Sequence, residues 1–366
     1  MHVLLAAGGT AGHVEPALNL ADALRRLDGA TRITVLGGER GLESALVPAR
    51  GYELVMVPSV PMPRRPGRDL IALGPRVRRT VDRATRLVRE EQVDVVVGFG
   101  GYAAVPGYLA ARRTRTPLVI HEANARAGWA NRLGARYTTL VFATFPDAIP
   151  GARPMALPLR RSIATLDREA ERSRARAEFG LAPDIPVLLA FGGSQGAQRL
   201  NATLAQALPG LRDRGVQVLH AYGQRNESPA AEPGYVPVPF IERMDLAYAA
   251  ADLALTRAGA MTCAELAAVG LPAIYVPLPI GNGEQRLNAL PVVQAGGGLM
   301  VDDADLTAEW LADSVASVLH DEGRLAAMGA ATAALGVRDA DERLARVVLD
   351  AAAGRQGGGR HAVTDE

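Results

Sequence analysis

The fold of this chain is first indicated by V-L-L-A-A-G-G-T-A-G, the stretch from Val3 to Gly12, in which an apolar run ends in a glycine turn. A second stretch, V-L-L-A-F-G-G-S-Q-G from Val187 to Gly196, repeats this order of residue types. An apolar strand that leads through a glycine turn into a helix is typical of the start of a doubly wound α/β domain. Two such stretches in a chain of 366 residues predict two domains of this class.

Strand-like runs alternate with longer amphipathic segments around the two glycine turns. In the first half the runs include HVLLA, RITVLG and VDVVVGFG, and in the second half they include VQVLHAYG, DLALTRAG and PAIYVPLP. Valine, isoleucine and leucine fill many of these runs, which is typical of parallel strands that helices cover on both faces. The sequence therefore predicts an α/β protein with two Rossmann-like doubly wound domains that face a cleft.

The boundary between the two domains is indicated by a proline-rich segment, PDAIPGARPMALPLR, which we interpret as a linker at residues 146–160. We predict an N-terminal domain of residues 1–158 and a C-terminal domain of residues 159–338. A last helix at about residues 339–353 is expected to pack back onto the first domain. The glycine-rich residues 354–366 are expected to form a disordered tail.

The composition excludes several classes of protein. The formal net charge is +1, so the chain as a whole is not a binder of polyanions such as nucleic acid, and its 40 lysine-plus-arginine residues are all arginines. The single cysteine, Cys263, excludes an internal disulfide and a cysteine metal cluster, and it agrees with a reducing cytoplasm. The first residues carry no charged leader, and no apolar run approaches the roughly eighteen residues of a membrane span. We therefore expect a cytoplasmic protein without a spanning segment.

Each glycine turn could bind an anionic ligand, because it lets the ligand approach backbone N–H groups and the positive end of a helix. Neither turn follows the dinucleotide pattern G-x-G-x-x-G or the Walker pattern. A tight structural turn without a ligand is the alternative for each of them. Glu39, after the second predicted strand, leaves open a dehydrogenase in which this carboxylate would bind a ribose.

Polar side chains follow several predicted strands of the first domain. His13 lies just beyond the first glycine turn, Tyr102 follows the run GFGG, and His121, Glu122 and Asn124 follow the run PLVI. Because the carboxyl ends of parallel strands meet at one edge of a sheet, we expect these groups to lie on one rim. A single histidine is often a packed core residue, but two histidines at this edge favour a functional site.

The second domain carries the pattern of a nucleotide-sugar site. Residues 260–262 open a predicted helix whose uncapped N–H groups can receive a phosphate. Glu265, which we place on the first turn of that helix, can accept hydrogen bonds from ribose hydroxyls, although dipole compensation is the alternative. Gln285 suits sugar hydroxyls, and Arg160 or Arg161 at the end of the linker can reach a diphosphate.

Five motifs in order resemble one family over nearly the whole chain, from His2 to about Asp350. They are GGTAGHVEPAL, GFGGYAAVPG, IHEANARAGWANRL, FGGSQGAQRLN and RAGAMTCAELAAVGLPAIYVPLP. The resemblance is to the undecaprenyldiphospho-muramoylpentapeptide β-N-acetylglucosaminyltransferases of peptidoglycan synthesis, in glycosyltransferase family 28. It implies a GT-B fold, UDP-N-acetylglucosamine as donor, the polyprenyl-diphosphate lipid I as acceptor, and no cofactor. It also implies a peripheral position on the cytoplasmic face of the cell membrane, where other cell-wall proteins are further candidate partners.

The motifs also carry site residues over to this chain. The resemblance implies donor contacts for Thr10, Ala11, Gly12, Asn124, Arg160, Ser194, Ile241, Gln285 and the run Ala260, Met261, Thr262, Cys263, Ala264 and Glu265. It implies that His13, Tyr102, His121, Glu122 and Asn201 line the acceptor side or support it. The first domain, residues 1–158, would then be the acceptor and membrane side, and the second would bind the UDP-sugar.

Two positions depart from the family pattern. The first loop of the family reads G-G-T-G-G-H, whereas this chain has Ala11 at the fourth position. Because alanine disfavours positive φ, either Ala11 lies in an ordinary backbone region or the loop is displaced. Before Arg160 the family has Gly-Asn-Pro, whereas this chain has Leu157 in place of the amide, so Arg161 stays an alternative to Arg160.

The implied reaction is an inverting glycosyl transfer with an oxocarbenium-like transition state. We expect His13 to be the base for the acceptor proton, because histidine titrates near neutral pH, and Glu122 is the alternative. Asp-x-Asp pairs that could hold a metal occur at Asp303/Asp305 and Asp339/Asp341, but we interpret them as helix caps or solvated charges. We therefore expect no metal, and stabilisation of the diphosphate by an arginine, the Ser194 loop and the helix that begins at Ala260.

The segment from Arg64 to Arg89 contains nine arginines and two aspartates in a chain of net charge +1. Such a helix can lie in a membrane interface, with its apolar residues in the acyl boundary and its arginines on anionic headgroups. The predicted docking residues are Leu70, Ile71, Leu73, Arg76, Arg78, Arg79 and Arg83. The alternative is an ordinary amphipathic helix whose apolar residues belong to the core.

Three other functions fit parts of the sequence. A UDP-sugar 2-epimerase shares the two-domain plan and would convert free UDP-N-acetylglucosamine without a lipid. A two-lobed nucleotide-sugar sensor would bind the donor but would release no UDP. A dehydrogenase would bind a nicotinamide cofactor.

Overall fold

The computed structural model describes residues 1–39, 41–58, 68–193, 197–280 and 282–358, with the side chains of residues 68–73 and 355–358 left out. The chain divides into two compact units. Unit 1 consists of Met1–Pro158 and Asp339–Glu366, and unit 2 consists of Leu159–Arg338. Each unit is built from parallel strands and helices that alternate along the chain.

The strands are β1 His2–Ala7, β2 Arg32–Gly38, β3 Glu53–Val57, β4 Val95–Gly100, β5 Leu118–Glu122, β6 Leu140–Ala143, β7 Arg153–Pro154, β8 Val187–Phe191, β9 Gln217–Ala221, β10 Tyr235–Val238, β11 Leu253–Thr256, β12 Ala273–Tyr275 and β13 Gly298–Met300. The helices are α1 Ala11–Leu27, α2 Glu43–Ala49, α3 Arg68–Glu90, α4 Ala104–Thr114, α5 Trp129–Gly134, α6 Arg161–Ala164, α7 Arg168–Glu178, α8 Gln198–Asp213, α9 Met244–Ala250, α10 Ala260–Val269, α11 Glu284–Gln294, α12 Ala308–Leu319, α13 Glu322–Ala333 and α14 Ala340–Gly358. A short 3₁₀ helix spans Pro146–Ala148.

Both sheets are parallel and have the same winding. The order is β3-β2-β1-β4-β5-β6-β7 in unit 1 and β10-β9-β8-β11-β12-β13 in unit 2. The chain reverses its direction of winding beside β1 in the first sheet and beside β8 in the second, and these are the strands that end in the glycine turns. In open α/β sheets, ligands bind at the carboxyl ends of the strands next to such a reversal. The prediction of two Rossmann-like doubly wound domains is confirmed.

Each sheet has an apolar core on both faces, because successive residues of a strand point to opposite sides. In β1, Val3 and Leu5 pack with α1 and α14, whereas Leu4 and Ala6 pack with the helices of the opposite face. In unit 2, β8 divides in the same way between two clusters of buried residues. The nearly continuous apolar runs of the sequence therefore have a direct physical reason, since helices cover the central strands of each sheet on both faces.

Several helices begin and end at residues with a local reason for the boundary. Asp167 accepts from the N–H of Ala170 (3.1 Å), and Asp321 accepts from the N–H of Arg324 (2.9 Å), which caps α7 and α13. Helix α10 ends before Gly270, whose φ of +65° is the left-handed conformation in which helices commonly terminate.

The proline-rich segment is more ordered than a free linker. It forms the 3₁₀ helix and then β7, which pairs with β6 at the edge of the first sheet. An edge strand tolerates Pro154, because one side of it needs no ladder hydrogen bond. The side-chain amide of Asn19 donates to the carbonyl of Pro158 (3.0 Å), which holds the end of the segment on unit 1.

The C-terminal helix α14 packs in unit 1. Leu344 and Val348 are fully buried among residues of α1 and the first sheet, and Arg26 forms an ion pair with Asp341. The helix continues to Gly358, so the predicted start of a disordered tail at residue 354 was too early. The helix can include the glycines of this end, because glycine lowers the stability of a helix but is compatible with helical backbone angles. The rest of the predicted tail lies outside the described residues.

Helix α3 has one buried and one exposed face. Val81, Ala84 and Val88 are buried, and Ala84 and Val88 belong to the core that also contains residues of α4. The side chains of Leu70, Ile71 and Leu73 lie outside the described part of the structure. In the chain ranges that the structure describes, no helix combines the length and the apolar character that a membrane crossing requires.

Candidate functional site

The first glycine loop connects β1 to α1 in unit 1. Gly9 has a φ of +94°, which a residue with a side chain rarely adopts. Thr10 is the extended N-cap residue, and Ala11 is the first residue of α1. Among the described residues, positive φ at a non-glycine position is confined to Gln92 and Arg115, so Ala11 lies in an ordinary backbone region. The alanine at this position therefore introduces no backbone strain.

Because Ala11 is helical, Ala11→Gly should lower the free energy of unfolding by about 0.4–1 kcal/mol, through the larger conformational entropy of glycine in the unfolded chain. Denaturant unfolding of the two proteins measures this difference. A gain in stability would mean that the loop is strained at this position.

His13 lies on the first turn of α1. Its Nδ1 is 3.1 Å from Thr10 Oγ1, and if this nitrogen donates, the lone pair of Nε2 can accept a proton. Burial lowers the pKa of His13 below 6.5, and the negative charge of Glu122 opposes this shift. The imidazole is therefore neutral at neutral pH, which is the state that a general base needs.

A buried carboxylate holds the first loop from the side. Glu43, the first residue of α2, accepts from the N–H of Gly9 (3.0 Å) and from the N–H of Gly38 (2.8 Å). Glu43 is fully buried, and a Cβ atom at Gly8, Gly37 or Gly41 would lie 2.8 Å or less from its side chain. The glycines around Glu43 therefore make room for the carboxylate that ties the first loop to the end of β2.

A chain of hydrogen bonds joins the ends of β4 and β5. The N–H of Gly100 donates to Tyr108 Oη (3.1 Å), and this hydroxyl donates to Asn131 Oδ1 (2.6 Å). Asn131 Nδ2 then donates to Glu122 Oε2 (2.9 Å). Burial raises the pKa of Tyr108, so its hydroxyl stays a donor. Buried networks of this kind fix the relative positions of the loops that they join.

Glu122 organises the loop that follows β5. Its carboxylate accepts from the N–H of Asn124 (2.9 Å) and the N–H of Gly128 (3.2 Å), in addition to Asn131. Both oxygens are thus hydrogen-bonded and the residue is buried, which makes Glu122 a weaker candidate for the base than His13. The position of Asn124 next to Glu122 agrees with its expected place on this rim.

The structure corrects the position expected for His121. Its side chain is fully buried, packs against the ring of Phe99, and places Nε2 3.1 Å from the carbonyl oxygen of Ala156. Burial lowers its pKa to about 4, so the ring is neutral. Adjacent residues of a strand point to opposite faces, so His121 points away from the side of Glu122 and supports the segment before residue 158. Of the two roles that the resemblance allows, lining the acceptor side or supporting it, the burial of His121 agrees with the supporting one.

Tyr102 lies on the rim as expected, after β4, and its ring lies beside the ring of Trp129. Three residues of this rim were not identified from the sequence, namely Trp129, Glu43 and Tyr108. For Glu43 a signal existed, because it follows the glycine end of the second strand in GERGLES, where only Glu39 was considered.

The N-terminus of α10 is the first element of the unit 2 site. Gly259 is an extended N-cap residue, and as a glycine it has no side chain with which to cap the first backbone N–H groups of the helix. Residues Ala260, Met261, Thr262 and Ala264 are partly exposed there. Cys263 is buried and burial raises the pKa of its thiol to about 12, so its side chain belongs to the core. Only the backbone of Cys263 is placed to bind a ligand.

Glu265 lies on the second turn of α10, and the predicted first-turn position was wrong, because the helix begins at Ala260. Its Oε2 accepts from the hydroxyl of Tyr248 (2.8 Å), a buried residue whose pKa is raised by burial and by the charge of Glu265. The charge of Arg160 opposes that rise, which places this guanidinium near the same pair. Arg160 is the N-cap residue of α6 and is partly buried, whereas Arg161 is the first residue of the helix and is exposed.

Gln285 connects two loops at the carboxyl edge of the second sheet. Its Oε1 accepts from the N–H of Ala258 (3.1 Å) and the N–H of Leu278 (3.0 Å), which fixes the orientation of the amide. Ile241 is buried in the loop between β10 and α9, so its backbone is the part that could meet a base. Ser194 lies outside the described residues.

The side chain of Asn201 is engaged within unit 2. This residue lies on α8 of unit 2, where its Nδ2 donates to the carbonyl of Tyr222 (2.8 Å) and its Oδ1 is 3.1 Å from His220 Nε2. Both ends of the amide are therefore used within unit 2. Asn201 therefore supports the end of β9 within unit 2, and its expected acceptor role stays a prediction.

The four aspartates of the two Asp-x-Asp pairs differ in their contacts. Asp303 forms ion pairs with Arg257 and Arg199. It was expected to be a helix cap or a solvated charge, and it is instead part of a structural ion pair. Asp341 pairs with Arg26, and Asp339 lies 3.9 Å from Arg343. Asp305 is exposed.

Two family models match the chain. The glycosyltransferase family 28 N-terminal domain matches residues 3–143, and the glycosyltransferase family 28 C-terminal domain matches residues 187–344. The first range contains His13 and Glu122, and the second range contains Glu265 and Gln285.

Relatives match over almost their whole length. The UDP-N-acetylglucosamine--N-acetylmuramyl-(pentapeptide) pyrophosphoryl-undecaprenol N-acetylglucosamine transferase of Streptomyces avermitilis is 59% identical over 97% of this chain and 99% of that protein. The protein of the same name from Streptomyces coelicolor is 58% identical over the same shares. Among solved structures, MurG of Acinetobacter baumannii aligns with a TM-score of 0.75 at 29% identity, over 95% of this chain and 99% of that chain.

Proposed function

The chain belongs to glycosyltransferase family 28, and we infer that it transfers N-acetylglucosamine from UDP-N-acetylglucosamine to the muramoyl 4-hydroxyl of lipid I. The products are lipid II and UDP, in the synthesis of bacterial peptidoglycan. The observation that carries this function is the 59% identity, over 97% of the chain, to a transferase whose name states this reaction.

We propose that unit 1 binds the acceptor and holds the base. The acceptor hydroxyl attacks the anomeric carbon of the donor, the new C–O bond forms, and the bond from that carbon to the diphosphate oxygen breaks. The proton of the hydroxyl passes to Nε2 of His13, which its lowered pKa keeps neutral. Glu43 and Glu122 hold the two loops on either side of His13 by hydrogen bonds to backbone N–H groups.

Unit 2 in this proposal binds the donor and stabilises the leaving group. The N-terminus of α10 directs N–H groups without a side-chain cap toward the diphosphate, and Arg160 adds a positive charge. Glu265 accepts hydrogen bonds from the ribose, and the oriented amide of Gln285 contacts hydroxyls of the N-acetylglucosamine. These groups stand in place before the reaction, so little reorganisation accompanies the development of charge.

The release of UDP tests the function directly. The wild-type chain, given UDP-N-acetylglucosamine and a lipid I analogue, is expected to release UDP and to form the disaccharide product. An epimerase would convert the donor without the acceptor, and a sensor would bind the donor without releasing UDP. A dehydrogenase would bind a nicotinamide cofactor instead. Any of these outcomes would contradict the transferase.

Glu265→Gln is expected to weaken the binding of UDP-N-acetylglucosamine about ten- to hundredfold, because a charge-assisted hydrogen bond to the ribose is lost. Isothermal calorimetry measures this affinity. Tyr248→Phe is the matched control, because it removes the partner hydroxyl and keeps the carboxylate, and it should change the affinity much less. Unchanged affinity of the Glu265→Gln protein would remove Glu265 from the donor site.

We further propose that α3 docks unit 1 on the anionic inner leaflet of the cell membrane, on its cytoplasmic face. Arg76, Arg78, Arg79 and Arg83 are all exposed on this helix. A pocket of about 660 Å³ adds to the basic surface, and it is lined by Pro58, Arg79, Asp82, Arg83, Thr85, Arg86 and Arg89. Asp82 forms an ion pair with Arg113 (2.7 Å), so the net charge of this surface is positive and comes from its arginines. Each arginine near an anionic surface contributes about 1 kcal/mol.

Replacing Arg76, Arg78, Arg79 and Arg83 together with glutamine is therefore expected to abolish most sedimentation with anionic vesicles. Activity on a water-soluble, short-chain acceptor should survive. The matched control removes the same charge from exposed positions of unit 2, namely Arg174, Arg212, Arg225 and Arg324. If the α3 variant sediments as the wild type does, the docking surface lies elsewhere.

A further inference from the structure

Two neighbouring aromatic side chains are exposed on unit 1. Tyr102 is 53% exposed and Trp129 is 42% exposed, although both are large and partly apolar. Their ring centroids lie 5.7 Å apart with an angle of 51° between the planes. Exposed apolar surface that is gathered in one place is characteristic of a binding site. In the part of the chain that the structure describes, Phe240 is the other exposed aromatic residue, and it belongs to unit 2.

The backbone beneath this pair is tied to the groups around His13. Tyr102 follows Gly100 and Gly101, and a Cβ atom at Gly100 would lie 3.3 Å from the ring of His13. Trp129 follows Gly128, whose N–H donates to Glu122 (3.2 Å). The two aromatic residues therefore belong to the loops that carry the acceptor-side groups, and their positions are set by the same hydrogen bonds.

The chemistry of the pair suits a sugar ring. A pyranose has an apolar face made of C–H groups, which packs on an aromatic ring, and a polar edge of hydroxyl and amide groups. Tyrosine and tryptophan combine apolar surface with a polar end, so they suit a ligand with both characters. Polar groups of the same rim, on His13 and Asn124, can meet the polar edge of such a ring.

We propose that Tyr102 and Trp129 form a platform on which the N-acetylmuramoyl ring of the acceptor stacks, so that its 4-hydroxyl reaches His13. This proposal rests on the proposed function and adds a specificity-determining contact for the acceptor. Neither residue is among the expected donor contacts, which are groups of unit 2 together with Thr10, Ala11, Gly12 and Asn124 of unit 1.

The binding of the sugar can be followed at Trp129 itself. The chain contains two tryptophans, and the other one, Trp310, lies in unit 2. In the Trp310→Phe protein all tryptophan emission comes from Trp129. A soluble muramoyl-pentapeptide diphosphate without the polyprenyl chain is expected to change this emission in a saturable way. Anionic vesicles without acceptor should leave it unchanged.

Kinetics provide the second measurement. Trp129→Ala is expected to raise the KM for the acceptor about three- to tenfold, whereas kcat and the KM for UDP-N-acetylglucosamine stay within twofold. Trp129→Phe should restore most of the acceptor KM, because it restores an aromatic face. The conservative variant also keeps the test valid if Trp129→Ala does not fold.

Three results would overturn the proposal. The first is an emission that responds to vesicles and not to the soluble muramoyl acceptor, because the pair would then be a lipid contact. The second is an unchanged acceptor KM in the folded Trp129→Ala protein, and the third is an equal rise of the donor KM. A wild type that releases no UDP would refute the transferase function, whereas a saturable change of Trp129 emission would still demonstrate a muramoyl-binding platform.

Discussion

Replacement of His13 by alanine is expected to lower kcat about 10²- to 10⁴-fold, which is the usual contribution of a general base. The affinity for UDP-N-acetylglucosamine should stay within twofold, because His13 is expected on the acceptor side and is not one of the expected donor contacts. Steady-state kinetics and calorimetry measure the two quantities separately. His320→Ala is the matched control, because this exposed histidine of unit 2 lies far along the chain from the rim and its substitution should leave kcat unchanged.

The pH dependence follows from the same residue. Burial lowers the pKa of His13 below 6.5, so the imidazole is neutral at pH 7 and becomes protonated only as the pH falls through this lowered value. The acidic limb of kcat/KM is therefore expected below pH 6.5, with activity lost toward lower pH. An acidic limb above pH 6.5, or a His13→Ala protein that keeps more than a tenth of kcat, would exclude His13 as the base.

Gly101→Ala is expected to cost more stability than any other substitution considered, about 4 kcal/mol or more. Gly101 has a φ of +80°, and a Cβ atom at this position would lie 2.1 Å from the carbonyl oxygen of Gly8. Backbone atoms cannot move away as a flexible side chain can, so the two loops would have to separate. Activity should fall as well, because the first loop carries His13.

Gly9→Ala separates the two causes of this loss. Gly9 has a similar positive φ of +94°, but a Cβ atom there would meet nothing within 4 Å. We expect a cost of about 1–2 kcal/mol from backbone strain alone. Denaturant unfolding of both variants in the Trp310→Phe background, followed by Trp129 emission, reports on unit 1. Equal losses in the two variants would mean that the contact with Gly8 contributes little.

Much of the fold and part of the site could be predicted from the sequence. The runs of valine, leucine and isoleucine required parallel strands that are buried on both faces, and the glycine turns marked the first strand of each unit. His13 and Glu122 were predicted because one lies just beyond the glycine turn after β1 and the other ends β5, at the edge where ligands of this fold bind. The sequence by itself therefore determined the class of each unit, and it determined which end of each sheet carries the candidate residues.

The tertiary structure alone decided which partners each residue has and which way it faces. His121 and Glu122 are adjacent in the chain, yet one is buried against the carbonyl of Ala156 and the other holds the loop after β5. Glu43 binds Gly9, which is 34 positions away, and no local pattern specifies that pairing. The position of a residue along a strand predicts the face of the sheet to which its side chain points. The partners in such pairs come from strands and loops that are distant in sequence, so these hydrogen bonds form only after the sheet has assembled.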